Sequence, residues 1–326
     1  MDTLLSLSKG SFRHLEDLSL HHVYPGFQSS SALGTHGSQR FGSLQRLAIS
    51  GNCSVTPYIL HFPLFQLTEL SITGCMVTPT ITHYILQQCT SLTVGHFSIR
   101  KSVSGAFDYR PSGRVRSPLK SLTLALYLIL DWDLFLVPLV LPSLVSFTNA
   151  DYSDAPTSLS PVFSRAMRSL IIRSNCSLES LCLSPHAVAN IDFSYPEVTA
   201  LLQKIPTLEI LVLRGNIMEP DLIRLVHELL PQLRVIDWRV RPDGLHTFLD
   251  LLEHYLADTS MLKRFPAAVN IICEHHNDMS SVRARYAKNY KVFKDAGICI
   301  TVLDTLGNDM RRWGGLGGGE SVLAGQ

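Results

Sequence analysis

The residues Ser43-Leu-Gln-Arg-Leu-Ala-Ile-Ser-Gly-Asn52 and Gln66-Leu-Thr-Glu-Leu-Ser-Ile-Thr-Gly-Cys75 share one pattern, L-x-x-L-x-L-x-x-N/C. The first leucines of the two copies, Leu44 and Leu67, are 23 residues apart. Because side chains alternate between the two faces of a strand, the pattern predicts a short strand whose apolar residues point into one core. The Asn or Cys side chain is expected to hydrogen-bond the backbone where the chain leaves the strand.

Weaker copies of the pattern continue along most of the chain. Their first leucines are separated by 29, 23, 25, 27, 25, 34, 30 and 25 residues. These leucines are Leu15, Leu44, Leu67, Leu92, Leu119, Leu144, Leu178, Leu208 and Leu233. Independent hairpins and a doubly wound sheet do not keep such a spacing. The spacing therefore predicts an array of repeats, each of which contacts its neighbours through connectors of differing length.

The connectors between the predicted strands carry helical patterns. Three of them, 161–170, 196–203 and 220–230, begin with proline, and 78–88 begins with Thr-Pro, which are helix-start signals. Strand and helix in alternation imply right-handed crossovers and a parallel sheet. We therefore expect an α/β fold with the helices on the outside and the sheet lining the inside of a curve.

The connector 101–118 differs from the others, because it has no helical period and is basic. It contains Lys101, Arg110, Arg114 and Arg116 against a single acidic residue, Asp108. One interpretation is a solvated insertion. The other is a basic contact arm for an acidic partner or a phosphate.

The sequence divides into three parts. Residues 1–240 hold the repeated pattern. Residues 241–306 are interpreted as atypical repeats that cap the same array, with helices at 243–256 and 280–296 and strands at 267–273 and 298–303. Residues 307–326 include Gly-Gly-Leu-Gly-Gly-Gly and read as a flexible tail.

Composition restricts the class of protein. The chain is 46% hydrophobic and 17% charged, with a mean hydropathy of +0.17, which fits a protein with much buried leucine. Its 28 Lys and Arg nearly cancel its 27 Asp and Glu, so we expect neither nucleic acid nor a membrane surface as a partner.

Two further features bear on location. The apolar stretch 122–147 is interrupted by Asp131 and Asp133 and reads as strand, connector and strand, since it is too broken for a membrane span. The seven cysteines are odd in number and form no CxxC motif, which indicates reduced, mostly buried thiols and a cytoplasmic or nuclear location.

Catalytic and metal-binding motifs find little support. Glu274-His275-His276 is the one local cluster of metal-ligand types, but adjacent strand residues point to opposite faces. The pair Asp131 and Asp133 reads as a turn leaving a strand. G-x-S-x-G, Rossmann and Walker motifs do not occur. We therefore expect no cofactor and no enzymatic activity; an enzyme whose site joins distant residues is the alternative from another class.

The residues between the inward leucines should face the concave side of the array. The centre of this surface is small and rich in hydroxyl groups, whereas its ends carry charges and larger apolar groups. Such concave sheets commonly bind proteins or peptides. The candidate partner-binding residues are Arg46, Glu69, Arg214, Asp237 and Arg239. Arg214, Asp237 and Arg239 are the preferred anchors, because arginine is enriched in interface hot spots; the alternative is that these residues only solvate an unused face.

The pattern L-x-x-L-x-L-x-x-N/C resembles the leucine-rich repeat, which implies a ribonuclease-inhibitor-like horseshoe. The variable gaps and the Pro-started helices resemble the leucine-rich-repeat region of F-box proteins, most closely the degenerate fungal type. In that family an F-box binds the adaptor Skp1 of a cullin–RING ubiquitin ligase, and the repeats recruit a protein substrate.

No segment of F-box type precedes Leu15, so the resemblance transfers no adaptor-binding residue to this sequence. It implies a non-catalytic interaction module, either a ubiquitin-ligase substrate receptor whose F-box lies upstream or a stand-alone leucine-rich-repeat scaffold.

Overall fold

The inward leucines of the repeated pattern form one side of a long parallel sheet. The structure, a computed structural model, describes residues 12–21, 41–51, 59, 62–100, 113–127, 132–150, 161–183, 195–214, 228–240, 268–273, 294–295 and 299–303. Within these residues, eleven strands pair in one open sheet, and their order across the sheet is their order along the chain. Every pair is parallel, so the predicted α/β fold with a large parallel sheet is confirmed.

The strands lie where the repeated pattern predicts them. The sheet consists of β1 Asp17–Leu20, β2 Arg46–Ser50, β3 Glu69–Val77, β4 Val94–Arg100, β6 Ser121–Tyr127, β8 Ser146–Asn149, β9 Ser180–Leu183, β10 Ile210–Arg214, β11 Val235–Val240, β12 Ala268–Cys273 and β13 Cys299–Leu303. A second sheet pairs β5 Val115–Arg116 with β7 Leu139–Val140. The last two strands of the main sheet match the predicted strands 267–273 and 298–303, so the sheet continues into the segment interpreted as a cap.

The register brings equivalent apolar residues into columns across the sheet. Leu47 lies opposite Leu70, and Leu122 lies opposite Phe147, which in turn lies opposite Leu181. All five side chains are buried in one continuous core. Since burying one such side chain stabilises the fold by about 1.5–3 kcal/mol, the columns account for much of its stability.

Strand β4 departs from the pattern at Gly95, which occupies the leucine column between Leu70 and Leu122. The buried Phe97 fills the missing volume, since a Cβ on Gly95 would lie 2.7 Å from its Cε2 atom. The ring therefore replaces the absent leucine.

Four α-helices whose bounds the structure describes pack on the core side of the sheet. They are α1 Pro79–Gln88, α2 Trp132–Leu136, α3 Pro161–Ser174 and α4 Tyr195–Leu202. Thr78 caps α1, because its hydroxyl oxygen accepts a hydrogen bond from the Ile81 N–H at 3.4 Å, and Pro79 occupies the first turn. Helices α1, α3 and α4 match predicted helices, whereas α2 lies in a stretch that was predicted only as a connector.

One part of the basic connector is not solvated. Val115 and Ser117 are buried, and the Val115 N–H donates to the Pro138 carbonyl at 2.8 Å. The interpretation of 101–118 as a solvated insertion is therefore wrong for Val115 and Ser117, whereas Arg114 and Arg116 are exposed; Lys101, Asp108 and Arg110 lie outside the described residues.

The chain turns sharply where β3 bulges. Gly74 has φ +69°, and a Cβ there would lie 3.0 Å from the Gly51 carbonyl oxygen. Its N–H donates to the Ser98 hydroxyl at 3.2 Å. Cys75 follows and is buried, as expected for the last position of the pattern. Asn52, the equivalent of Cys75 in the first copy, lies outside the described residues.

Several predicted segments also lie outside the described residues. These are the helix 243–256, the tail 307–326, and most of the helices 220–230 and 280–296. The stretch 122–147 contains β6, α2, β7 and the start of β8, in agreement with strand, connector and strand. Within the described part of the chain, no helix has the length and apolar character that crossing a membrane requires.

Candidate partner-binding surface

The second face of the main sheet, here called the open face, carries the residues between the inward leucines. The strand register arranges them in two columns, listed from β1 to β13. The first column is Asp17, Arg46, Glu69, Val94, Ser121, Ser146, Ser180, Ile210, Val235, Ala268 and Cys299. The second is Ser19, Ala48, Ser71, His96, Thr123, Thr148, Cys182, Val212, Asp237, Asn270 and Thr301.

At the β1 end, the charges of the open face are satisfied by one another. The Arg46 guanidinium donates from Nε and Nη2 to the two carboxylate oxygens of Asp17. These hydrogen bonds lower the pKa of Asp17 and raise the pKa of Arg46. Glu69, the register partner of Arg46 on β3, adds further attraction. Because Arg46 lies between two carboxylates, it has little unbalanced charge to offer a partner.

The centre of the open face is small and polar. Ser121, Thr123, Ser146, Thr148 and Ser180 are all half-buried. Small hydroxyl side chains give a flat surface with little apolar area. This part of the sheet therefore provides few of the large anchors that dominate interface energies.

Strand β4 adds Val94 and His96 to the open face, and neither was among the residues predicted for it. His96 lies in register between Ser71 and Thr123. The repeat beginning at Leu92 was predicted, but Gly95 interrupts its leucine pattern, so no surface residues were assigned to it. The apolar residues Phe97 and Ile99 at alternate positions were the signal that could have located this strand.

Towards β12 the open face becomes apolar. Ile210, Val212, Val235 and Ala268, here called the aliphatic patch, lie on three adjacent strands. Ile210 is 39% exposed, and the other three are half-buried. The patch thus exposes branched apolar side chains to water where the strands before it expose serine and threonine.

Polar groups border the aliphatic patch on two sides. Next to Val212 in the second column, the Asn270 side-chain amide donates to Asp237 Oδ1 at 2.6 Å. Just before β10 and β11, Arg234 and Glu209 form an exposed ion pair at 3.5 Å. Asn270 was missed because the strict pattern fades after Trp238, although the strand that carries it was predicted.

Arg214 and Arg239 are register partners on β10 and β11, two residues beyond Val212 and Asp237. Their backbones are described by the structure, and their side chains lie outside the description. The backbone register alone brings both residues to the border of the aliphatic patch, beside Asp237.

The five predicted residues therefore fall into two groups. Arg46 and Glu69 lie on β2 and β3, whereas Arg214, Asp237 and Arg239 lie on β10 and β11. Five strand spacings separate β3 from β10, or about 24 Å at 4.8 Å per spacing. The two groups are too far apart to contact the same side chain of a partner. Only the second group borders an apolar surface.

Most of the described cysteines belong to the core. Cys75, Cys89 and Cys182 are buried, Cys176 is half-buried and Cys299 is exposed, and none of these five forms a disulfide. Burial raises the pKa of the Cys89 thiol to about 12 and raises that of Cys176 as well. A thiol in this state is a poor nucleophile, because the thiolate is the reactive form.

Metal ligands do not converge in the described part of the chain, where no three His, Cys, Asp or Glu side chains share a site. Asp133 is half-buried and contacts Arg165 at 3.5 Å, so it serves an ion pair between α2 and α3. Asp131 and the Glu274-His275-His276 cluster lie outside the described residues.

Comparisons with protein-family models and with curated proteins find no match for this chain. Function is therefore inferred from the open face itself. Its aliphatic patch and the border formed by Arg214, Asp237 and Arg239 are the features that can recognise a ligand.

Proposed function

We propose that the chain is a leucine-rich-repeat solenoid of the horseshoe type, whose open face is the concave side and binds a protein or peptide without catalysis. Three observations support this. The strands of the main sheet follow chain order, the connectors with described helices lie on its core side, and apolar columns run across successive strands. Those are the features of an array in which each unit buries its core against its neighbours.

The aliphatic patch is the observation that carries the binding function. A monomeric protein exposes isolated apolar side chains as a matter of course, but a contiguous apolar surface bordered by charges is typical of an interaction site. Ile210 and Val235 are adjacent across two strands, and Val212 extends the patch along β10. A partner that covers these side chains gains apolar burial, while the nearby charges fix its orientation.

The family resemblance suggests a more specific role. As in F-box receptors of ubiquitin ligases, the open face would recruit a protein substrate for ubiquitination in the cytoplasm or nucleus. The second candidate is a stand-alone scaffold that uses the same face without the ubiquitin machinery. Recovery of Skp1 and a cullin with this chain favours the receptor; recovery of a partner without them favours the scaffold.

The patch itself is tested by charge substitution. Ile210→Asp with Val235→Asp introduces two charges that a bound apolar side chain would desolvate, so we expect capture of the partner to fall at least tenfold, roughly the effect of 1.4 kcal/mol. Ser121→Asp with Thr123→Asp is the matched control on the same face. Equal capture by both variants would mean that the partner does not use the aliphatic patch.

The predicted anchors are tested separately. Arg214→Glu with Arg239→Glu reverses two charges at the border of the patch, and we expect this change to weaken partner capture without unfolding the chain. Arg46→Glu is the comparison at the other end of the sheet, where the arginine already pairs with Asp17. If the β2 substitution has the larger effect, the assignment of the anchors to β10 and β11 is wrong.

A further inference from the structure

Five of the described arginines lie in helix α3 and at strand β5. Helix α3 reads PVFSRAMRSLIIRS, with Arg165, Arg168 and Arg173 and no acidic residue. Arg114 and Arg116 lie at β5, in the basic connector 101–118. The whole chain has almost balanced charges, with 28 basic and 27 acidic residues. The positive charge here is therefore local.

The backbone brings β5 and the end of α3 to the same short segment, residues 136–139. The Val115 N–H donates to the Pro138 carbonyl at 2.8 Å. The Arg173 guanidinium donates from Nη2 to the Leu136 carbonyl at 2.7 Å and from Nε to the Leu139 carbonyl at 3.1 Å. Burial lowers the pKa of Arg173, and the nearby charge of Arg114, next to Val115, lowers it further.

Arg173 is held in a fixed orientation. A third hydrogen bond runs from its Nη1 to the Ser169 hydroxyl at 2.8 Å. A guanidinium has five N–H donors, so these three bonds leave two for a ligand. A planar fork that is already ordered loses little entropy when it binds a carboxylate.

The remaining neighbours indicate what kind of ligand fits. Among the described residues, Asp133 brings a carboxylate to this region, and its pair with Arg165 is long and exposed at 3.5 Å. Ile172 and Val137, close in sequence to Arg173 and Leu136, are 58% and 47% exposed. The region thus combines excess positive charge with two exposed aliphatic side chains.

We propose that Arg114, Arg116 and Arg173, here called the basic cluster, bind an acidic segment of a protein, and that Ile172 and Val137 contact an apolar side chain within it. A peptide with carboxylates and an aliphatic residue complements both features. Nucleic acid fits less well, because affinity for it depends on many phosphate contacts made by an extended basic surface. The site lies on the side of the sheet opposite the open face and is independent of the function proposed there.

The test uses the full chain and a fluorescent peptide of alternating glutamate and leucine, with binding followed by fluorescence anisotropy. Arg114→Glu with Arg116→Glu should weaken binding about tenfold or more, since hydrogen bonds to charged groups are lost. Arg13→Glu with Lys204→Glu makes the same charge change at exposed positions elsewhere and should change binding less than about twofold. Circular dichroism verifies that all variants are folded.

Arg173→Lys provides a second variant that keeps the charge but loses the fixed fork. We expect several-fold weaker binding with a retained fold. The proposal is overturned if both double variants lose affinity equally, if neither does, or if a peptide with glutamine in place of glutamate binds as well. Tighter binding of an oligonucleotide or of phosphatidylserine vesicles through the same arginines would also overturn it, because the ligand would then belong to another class.

Discussion

Gly95 and Phe97 explain at the level of single residues why the surface residues of β4 were not predicted, although the repeat that begins at Leu92 was. The core needs a certain volume at each position of the leucine column, and in β4 the Phe97 ring supplies it from two residues away. A pattern of leucines at fixed spacing does not reveal that Phe97 fills the volume missing at Gly95. His96 was missed for the same reason, because the degenerate pattern does not show which residues of the strand face away from the core.

The packing at Gly95 gives the first prediction. In Gly95→Ala the added methyl group would lie 2.7 Å from the Phe97 ring and 3.2 Å from the Leu119 side chain. We expect the free energy of unfolding, measured by urea denaturation, to fall by about 1–3 kcal/mol. Gly42→Ala is the control, because its new Cβ would lie 3.8 Å from the nearest atom, the Arg13 carbonyl oxygen. Similar losses in both variants would contradict the packing described for β4.

His83 on α1 gives a prediction about pH. The buried ring donates from Nε2 to the Phe135 carbonyl at 2.8 Å and stacks on the Phe135 ring, with centroids 5.2 Å apart. Burial lowers the pKa of His83 below its ordinary value of 6.5. The folded state therefore favours the neutral ring, and its stability is retained above pH 6.5 and lost as pH falls towards the folded pKa.

The measurement compares wild type with His83→Gln, which keeps an N–H donor but does not titrate. Free energies of unfolding are determined at several pH values from neutral downwards. We expect the wild type to lose stability more steeply than the variant just below pH 6.5. Parallel curves for the two proteins would show that His83 does not contribute to the acid sensitivity.

At the scale of elements, local signals decided which connectors could be predicted. Helix α1 has a threonine cap and a proline in its first turn, so the sequence alone predicts where the helix begins. Helix α2 has five residues, too few for a helical period. Strand β5 has two residues and pairs with β7 across a wide sequence separation, so no local pattern could locate it.

A hydrogen bond joins the end of α3 to the segment that follows β7. The buried Ser174 hydroxyl accepts a hydrogen bond from the Leu141 N–H at 2.9 Å, just after β7. Ser174→Ala leaves this buried donor unpaired, and we expect a loss of about 1–3 kcal/mol in the free energy of unfolding. Ser143→Ala, at an exposed position nearby, should change it by less than about 0.5 kcal/mol. An equal effect of the two substitutions would argue against the contact.

At the scale of the whole molecule, the spacing of the leucines was sufficient to predict a parallel sheet in chain order. It was sufficient because each strand uses the same two inward positions, and the register follows from matching them.

The binding surface was harder to predict, since the exposure of side chains and their contiguity across strands depend on packing. Arg46 was a candidate by type, but its pairing with Asp17 appears only in three dimensions. The aliphatic patch emerges only when the rows of β10, β11 and β12 are aligned.

The two sides of the main sheet expose different residues. Recognition of a partner through the open face is inferred from this difference. The open face offers the aliphatic patch near Arg214, Asp237 and Arg239. The exposed apolar residues on the core side, such as Phe65 at 54% exposure, belong to connectors between strands. A partner that binds through the open face should therefore contact Ile210 and leave Phe65 untouched.

Site-specific photo-crosslinking tests this claim most directly. A photoreactive phenylalanine analogue is introduced at Ile210 in one variant and at Phe65 in another, and each is irradiated in the presence of the captured partner. We predict a crosslinked complex with the probe at Ile210 and none with the probe at Phe65. A partner that crosslinks at Phe65 and not at Ile210 would contradict recognition through the open face.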